Sequence, residues 1–351
     1  MNNLNQKKRL LIITQKMSQS DPVLGFFHRW VSELAGRFES IIVVCLEKGE
    51  SNLPANVRVI SLGKESGHSR LKYVGNFFRT ILAERKHYDS VFVHMNQEYL
   101  LLGGWLWKIV GKKITMWRTH HSGNLLTDLA AAFCTQVQCT SKYSYTAKYK
   151  KTILMPVGID TKLFIKMPST AKVPGSILFL ARIAPVKKPD LLLQALGQLA
   201  RQGQNFSATI VGNALPKDQA YFDSLKTLVK QEGLENQVRF QAGVANDQTR
   251  QLYNSHEIFV NLSSSGMYDK TIFEAMACEV LSLASNRNLE GLIEPAFMFR
   301  EENVADLSDK LAHLLGLSIK EKAQKGRELR EVVVKNHSLE MLVNKLTTVL
   351  S

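Results

Sequence analysis

Short apolar runs rich in β-branched residues alternate with segments of helical periodicity along the whole chain. Bounded apolar runs of four to eight residues favour buried strands, and apolar positions three and four residues apart favour amphipathic helices. In the first half, this pattern predicts helices near Gly25–Gly36, Leu71–Arg85, Tyr99–Val110 and Lys142–Lys150. It predicts strands at Arg9–Thr14, Ile41–Leu46, Val57–Ile60, Ser90–His94, Ile114–Arg118 and Gln136–Thr140.

The second half repeats the alternation, with strands at Ile177–Ala181, Ala208–Val211, Val238–Ala242, Ile258–Leu262 and Leu281–Ala284. Helices are predicted near Asp190–Gln202, Gln219–Glu232, Gln248–Asn254 and Thr271–Cys278, and helices dominate from there to the end. This alternation is typical of α/β proteins with parallel sheets and crossover helices.

Turn-forming residues cluster between Pro156 and Gly175, which marks a domain boundary. We therefore predict a Rossmann-like domain at 1–157, a linker at 158–175 and a second Rossmann-like domain at 176–335. A C-terminal helix at 336–351 is expected to pack back towards the first domain. Two doubly wound domains facing across a cleft would hold a ligand at the carboxyl ends of their strands.

Composition narrows the class of protein. The chain has 351 residues, of which 45% are hydrophobic and 22% charged, and these proportions exclude a disordered or fibrous protein. The four cysteines form no C-x-x-C pair, so no metal site is expected. The longest apolar stretch, Leu100–Trp107, is too short to span a membrane, and the polar start, Met1–Lys8, does not resemble a signal peptide. These features predict a cytoplasmic protein.

The positive charge is concentrated in the first half. Residues 1–155 contain 22 Lys and Arg against 10 Asp and Glu, whereas the rest contains 23 against 21. Such an excess attracts phosphates on a membrane, a nucleic acid or a phosphorylated acceptor, although it also serves solubility. Because no nucleic-acid recognition motif accompanies the charge, we expect no nucleic-acid partner. An anionic membrane surface, at the inner face of the plasma membrane, is a candidate partner. The stretch Leu100–Lys113 fits either a membrane-surface helix or a core crossover helix.

Neither G-x-G-x-x-G nor a P-loop motif is present. Arg182 and Lys187 lie five residues apart on the loop that leaves the first strand of the second domain. Two cations at a cleft edge suit a diphosphate, because Arg offers a planar fork and Lys a point charge. The alternative interpretation of this loop is a solvated turn before a helix, with no ligand.

A second segment, Val260–Ala277, reads as strand, small polar loop and helix. The helix begins near Lys270, where free backbone N–H groups can bind a phosphate. Glu274 lies in the first turns, where its carboxylate can accept hydrogen bonds from ribose hydroxyls. The alternative is an acid that complements the helix dipole.

With these segments, the sequence resembles the retaining glycosyltransferases of family four, which have the GT-B fold. The matching pieces occur in the family's order: Met155–Asp160 with Phe164, Arg182 with Lys187, Ile210–Gly212, Val238–Gly243 and Glu274–Ala277. The resemblance implies metal-independent sugar transfer with retention from a nucleoside diphosphate sugar, which is a co-substrate, and no cofactor. It implies that Arg182 and Lys187 bind the diphosphate and Glu274 the ribose. The other expected donor-binding residues are Gly212, Ser265, Gly266, Met267, Asp269, Lys270 and Thr271.

Two positions depart from the family pattern. The family usually has a glutamate eight residues before Glu274, and this chain has Gly266 there, with Ser265 beside it. The absent glutamate would contact the donor sugar, and Asp269 and Lys270 are candidates to make that contact in its place. Lys188 replaces the customary glycine after the phosphate-loop lysine.

In the first domain, the resemblance places a histidine at the end of the strand Ile114–Arg118, facing the donor sugar. His120 is the first candidate for this catalytic position and His121 the second, and a hydrogen-bonded His at a sheet edge is the alternative. His94 and Asn96 end another strand, and Gly25 opens the first helix. We expect these residues on the acceptor side.

The predicted function is sugar transfer to a glycan or a lipid-linked acceptor. A GT-B sugar-nucleotide epimerase would use a similar donor pocket without an acceptor. The alternative that is not an enzyme is a non-catalytic glycosyltransferase-like subunit.

Overall fold

The computed structural model describes residues 8–21 and 24–351. Most of the polar start of the chain and two residues of the loop Met17–Leu24 therefore lie outside the described residues. The chain forms two compact units: the first contains residues up to Gly158 together with Glu340–Ser351, and the second contains Ile159–Leu339.

The described part of the first unit contains one parallel seven-stranded sheet, in the order β3-β2-β1-β4-β5-β6-β7. Its strands are β1 Arg9–Met17, β2 Ser40–Lys48, β3 Val57–Ser61, β4 Ser90–His94, β5 Lys113–Trp117, β6 Gln136–Cys139 and β7 Thr152–Leu154. Its helices are α1 Gly25–Ala35, α2 Arg70–Ala83, α3 Glu98–Ile109, α4 Leu125–Phe133 and, from the chain end, α11 Leu339–Leu350. The strand order reverses direction between β1 and β4, so the loops that leave these two strands lie next to each other.

Buried side chains of α2, α3 and α4, among them Phe77, Trp107 and Ala130, form one core with the strands. The ring of Phe27 in α1 stacks on His94 of β4 at a centroid distance of 3.8 Å. The C-terminal helix α11 joins this unit, where Asn344 accepts a hydrogen bond of 2.9 Å from Arg37.

The second unit contains a parallel five-stranded sheet, in the order β10-β9-β8-β11-β12. Its strands are β8 Ser176–Leu180, β9 Ser207–Val211, β10 Val238–Gln241, β11 Ile258–Asn261 and β12 Leu281–Ala284. Its helices are α5 Pro189–Arg201, α6 Gln219–Gln231, α7 Thr249–Ser255, α8 Lys270–Ala277, α9 Val304–Gly316 and α10 Ile319–His337. In this sheet, the strand order reverses direction between β8 and β11.

Four segments differ from the sequence-based prediction. The segment 158–175, predicted as a linker, is almost wholly part of the second unit, where Met167 N–H donates to Asn254 Oδ1 and Val173 N–H to Ser255 O. The predicted helix Lys142–Lys150 shrinks to a short 3-10 helix at Tyr145–Lys148. The hydroxyls of Tyr145 and Tyr149 instead donate hydrogen bonds to Asp128 of α4, at 3.0 and 2.5 Å. Helix α4 and strand β7 were not predicted. Among the described residues, no helix combines the length and the apolar character needed to cross a bilayer.

Candidate functional site

The candidate site in the second unit lies at the switch point of its sheet. Because β8 and β11 are neighbouring parallel strands, the loops at their carboxyl ends meet. The first loop, residues 181–188, carries Arg182 and Lys187, and the second, residues 262–269, leads into α8. This edge is where open α/β sheets bind ligands.

Lys187 bridges the two loops. Its ammonium donates hydrogen bonds to Asp269 Oδ2 at 2.5 Å and to Ser263 Oγ at 3.0 Å. Ser263 Oγ in turn donates to Asp269 Oδ2 at 2.9 Å. The Lys187 side chain keeps 22% of its surface exposed, so the ammonium is fixed in position yet open to solvent at this edge.

Asp269 also caps helix α8. Its Oδ1 accepts hydrogen bonds from Thr271 Oγ1 at 2.9 Å and from Thr271 N–H at 3.4 Å. Burial alone would raise the pKa of Asp269, but the Lys187 ammonium and the hydrogen bonds from Ser263 and Thr271 lower it to about 2. Both carboxylate oxygens therefore have partners within the protein. The contacts of Asp269 are thus to Lys187, Ser263 and the helix start, and its expected contact with the donor sugar stays a prediction.

Arg182 is exposed on the same loop as Lys187. Lys188 follows with φ of 52°, a left-handed conformation in which glycine carries no steric penalty. That conformation explains why the family customarily has glycine here. The Lys188 ammonium pairs with Glu302 at 2.7 Å and with Glu301 at 3.4 Å, whereas that of Lys187 bonds to Asp269 and Ser263.

Glu274 is 4% exposed in α8. Its carboxylate accepts hydrogen bonds from Tyr253 Oη at 3.0 Å and from Asn246 Nδ2 at 3.1 Å. Burial lowers the pKa of Lys270, although the Glu274 carboxylate opposes part of that shift, and burial raises the pKa of Glu274. Asn246 lies on the loop that leaves β10, at the carboxyl edge of the sheet. A ligand hydroxyl that enters at this edge could replace the Asn246 amide as the hydrogen-bond donor to Glu274.

The loop 264–268 is held by two asparagines that sequence reasoning missed. Asn286 Nδ2 donates to Met267 O at 2.8 Å, and Asn288 Nδ2 donates to Ser265 O at 2.6 Å. Ser265 Oγ accepts the backbone N–H of Arg287 at 2.9 Å. These bonds fix the backbone beside Gly266, which is buried. The one sequence feature that could have identified these asparagines is their position directly after strand β12.

Gly212 ends β9 where the backbone of the next loop comes very close. A Cβ added there would lie 1.9 Å from Ala181 O, a distance that no side chain tolerates. The glycine thus permits β8 and β9 to deliver their loops side by side.

We expect Gly212→Ala to lower the free energy of unfolding by about 2–4 kcal/mol, because backbone atoms must move to relieve the overlap. Gly316→Ala is the control, since a Cβ there meets nothing within 4 Å. Urea unfolding of both variants measures the difference. A loss below about 0.5 kcal/mol in Gly212→Ala, the range of ordinary surface substitutions, would contradict the close approach.

In the first unit, the expected acceptor-side residues lie on the loops after β1, β4 and β5, at the same sheet edge. His120 Nδ1 accepts the Ser122 N–H at 3.0 Å, and its ring stacks on the exposed His121 at 4.5 Å. Asn96 lies half-buried after β4. Gly25 opens α1, where a Cβ would lie 2.9 Å from Gln19 O.

Arg118 is a further residue at this edge that the sequence did not single out. It donates to Gln97 Oε1 at 3.1 Å and to Ser122 O at 3.1 Å, which ties the loop of His120 to the loop after β4. His94, in contrast, is 1% exposed and packs inside the unit, with Nδ1 at 3.3 Å from Thr14 Oγ1. Its expected place on the acceptor surface is therefore corrected to a place in the core.

Comparison with known proteins assigns the second unit. Residues 165–331 match the model of the family described as glycosyl transferases group 1. The second unit belongs to the group 1 glycosyltransferase family. The matched residues contain the loops of Lys187 and Asp269 and the helix of Glu274.

A curated relative of this group 1 glycosyltransferase domain is D-inositol 3-phosphate glycosyltransferase of Kineococcus radiotolerans, 29% identical over 147 residues. That match covers 38% of this chain and 34% of the relative, so the chain spans about a third of the length of the curated relative.

Solved structures match both units. HepE of Anabaena, solved with UDP and glucose, has a TM-score of 0.76 at 18% identity over 98% of this chain and 99% of its own. WaaG, a glycosyltransferase involved in lipopolysaccharide biosynthesis, has a TM-score of 0.68 at 15% identity over 97% of this chain and 99% of its own. The chain has the GT-B fold.

Proposed function

We propose that this protein transfers a sugar from a nucleoside diphosphate sugar to a glycan or a lipid-linked acceptor, with retention of configuration and without a metal ion. The observation that carries the proposal is the ammonium of Lys187, fixed between Ser263 and Asp269 at the start of α8. A fixed cation beside a helix N-terminus suits a diphosphate that gains charge as it leaves.

The proposed division of roles follows the position of each residue. Lys187 and Arg182 neutralise the leaving diphosphate, which is the charge compensation that a divalent ion would otherwise supply. Glu274 accepts the ribose hydroxyls in place of the Asn246 amide. Backbone groups of Ser265 and Gly266, held by Asn288 and by the Arg287 N–H, orient the donor sugar. His120 lies on the acceptor side and donates a hydrogen bond to the transferred sugar.

The acceptor class rests on two supports. The first half of the chain has an excess of 12 positive charges, which favours a phosphate-bearing acceptor or one held at an anionic surface. WaaG, with a similar fold, is involved in lipopolysaccharide biosynthesis. Both supports favour a surface glycan or a lipid-linked intermediate.

The test is release of nucleoside diphosphate from a panel of nucleotide sugars, with and without added glycan and lipid-linked acceptors. We expect release that depends on the acceptor, persists in EDTA and yields a product with the donor's anomeric configuration by NMR. Release without any acceptor, together with an altered free nucleotide sugar, would favour the epimerase. Inversion or a requirement for a divalent ion would contradict the proposed mechanism.

A non-catalytic role is the second candidate, and Gly266 is the specific observation that favours it, because the family's usual glutamate is absent there. Binding of a nucleotide sugar without turnover against any acceptor would establish this role. Acceptor-dependent transfer by the purified chain would exclude it.

Asp269→Asn tests the assignment of Asp269 to Lys187 rather than to the sugar. We expect the variant to bind bare nucleoside diphosphate about tenfold more tightly. Removing one anion beside a diphosphate gains roughly 3 kcal/mol at about 5 Å and an effective dielectric constant of about 20. Solvent screening reduces that gain, and releasing the lysine side chain costs about 0.5–1.5 kcal/mol, so the electrostatic gain is the larger effect.

Isothermal titration calorimetry with the bare diphosphate measures this change. Asp306→Asn is the matched control, because Asp306 also accepts a backbone N–H near a helix start and pairs with Arg300. If Asp269→Asn leaves the bare diphosphate unchanged and weakens only the nucleotide sugar, Asp269 contacts the sugar instead.

A further inference from the structure

The outer side of the helix layer α2–α4 carries large apolar side chains in contact with solvent. Inside, the three helices cover one face of the first unit's sheet. Outside, eight apolar residues are exposed, and we call them the α2–α4 surface: Leu71, Leu82, Trp105, Ile109, Val110, Leu125, Leu126 and Leu129. A helix packed on a soluble domain normally has polar residues on its outer side.

Helix α4 departs most clearly from that rule. Thr127, Ala130 and Ala131 are buried on its inner side. On its outer side, Leu125 is 80% exposed, Leu126 50% and Leu129 48%. Both sides of the helix are thus mainly apolar, and burial of the three leucines against a partner surface would be favourable.

Helix α3 contacts both α2 and α4 through its glycines. A Cβ on Gly104 of α3 would lie 2.8 Å from Phe133 of α4, so these two helices approach closely. On the other side of α3, a Cβ on Gly103 would lie 3.0 Å from Phe77 of α2. Trp105 follows these glycines and is 45% exposed. Helix α3, with Trp105 on its exposed side, therefore lies between α2 and α4 in this layer.

Cations outnumber acids among the apolar residues: Glu98 of α3 is exposed, and two other nearby acids are in ion pairs. The exposed cations are Arg70, Lys72, Arg79, Arg85, Lys86 and Lys108. Glu84 forms ion pairs with Arg58 and His87, and Asp128 forms one with Lys148 at 2.8 Å. Apolar side chains among an excess of exposed cations match the boundary of an anionic bilayer, where acyl chains lie beneath phosphate headgroups.

We propose that the α2–α4 surface docks the protein on an anionic lipid membrane. The leucines and Trp105 enter the headgroup boundary, and the lysines and arginines bind lipid phosphates. A second copy of the chain is a poorer occupant, because it would bring two cationic surfaces together. The proposal is independent of the donor site in the second unit.

Sedimentation with vesicles tests the docking. We expect the full chain to bind vesicles of equal phosphatidylglycerol and phosphatidylcholine, and not vesicles of phosphatidylcholine alone. Binding is expected to weaken as salt rises, since charges are screened over about 8 Å at physiological ionic strength. Equal binding to both vesicles, or binding to neither, would overturn the proposal.

Two matched triple variants locate the surface. Leu125→Gln, Leu126→Gln and Leu129→Gln together are expected to weaken binding at least about tenfold, because three apolar groups no longer enter the bilayer. The control combines Ile319→Gln, Val334→Gln and Met341→Gln, whose side chains are exposed by 87%, 44% and 45% on other helices. Equal binding by the two variants would contradict the assignment. Circular dichroism establishes that both are folded.

A second measurement needs no change in the leucines. Trp30, Trp107 and Trp117 are 2%, 1% and 3% exposed, whereas Trp105 is 45% exposed. A blue shift of tryptophan fluorescence on adding anionic vesicles is therefore expected, and Trp105→Phe should abolish it while retaining sedimentation. Vesicle binding without any shift would contradict insertion of this surface. So would a wild-type dimer that ignores vesicles and that the leucine variant converts to monomer, because a second copy would then occupy the surface.

Discussion

Lys187→Ala is expected to lower kcat/KM for sugar transfer by about 10²- to 10³-fold, the usual loss when one electrostatic donor to a transition state is removed. Lys187 is the cation that Asp269 and Ser263 hold at the helix start, so its loss leaves the departing diphosphate without a fixed charge. Arg182→Ala should have a similar effect. Steady-state kinetics with the identified donor and acceptor measures both.

Lys188→Gly is the matched control for the lysine. Its ammonium pairs with Glu301 and Glu302, and its backbone has the conformation that glycine adopts freely. We expect activity close to that of the wild type. Full activity in Lys187→Ala, or an equal loss in Lys188→Gly, would remove Lys187 from the site.

Glu274→Gln is expected to weaken binding of the bare nucleoside diphosphate by about 10- to 150-fold. A hydrogen bond to a charged group contributes about 1.5–3 kcal/mol, and the ribose is common to the diphosphate and the nucleotide sugar. Both ligands should therefore lose affinity together. Calorimetry with each ligand measures the loss.

Two variants separate this role from a structural one. Asn246→Ala frees the carboxylate oxygen that the amide now occupies and should bind nucleotide at least as well as the wild type. Tyr253→Phe removes the buried hydroxyl but keeps the charge, so it should affect stability more than affinity. If Glu274→Gln folds normally and retains its affinity, Glu274 serves only the packing of α8.

Most of the fold could be predicted because buried strands have a clear local pattern. The runs Ser90–His94 and Ile177–Ala181 correspond to β4 and β8 within a residue. Helix α4 escaped because its sequence is apolar on both sides and follows a polar loop, so it lacks the alternation that marks an amphipathic helix. The predicted linker 158–175 contains turn residues, and only its long-range contacts, such as the hydrogen bond from Lys172 Nζ to Glu279 O, place nearly all of it in the second unit.

In the candidate site, too, local features could be predicted from the sequence and long-range contacts could not. The loop of Arg182 and Lys187 could be recognised because charge and position after a strand are local features. The ion pair between Asp269 and Lys187 could not be predicted from local features, because Lys187 lies 82 residues earlier in the chain. Asn286 and Asn288 support the loop from another strand, and their sequence context resembles any polar turn. His94 ends its strand as predicted, but the stacked ring of Phe27 keeps it in the core.

Stabilisation by nucleoside diphosphates tests the central claim, that the β8–β11 edge binds a diphosphate, most directly. A thermal-shift screen of UDP, GDP, ADP, CDP and dTDP should find at least one that stabilises the wild type. At 100 times its dissociation constant, that ligand adds about 2.7 kcal/mol. For a unit of this size the shift is roughly 5–10 °C, and Lys187→Ala should lose most of it. Absence of stabilisation by any of the five, or an equal shift in Lys187→Ala, would contradict the claim.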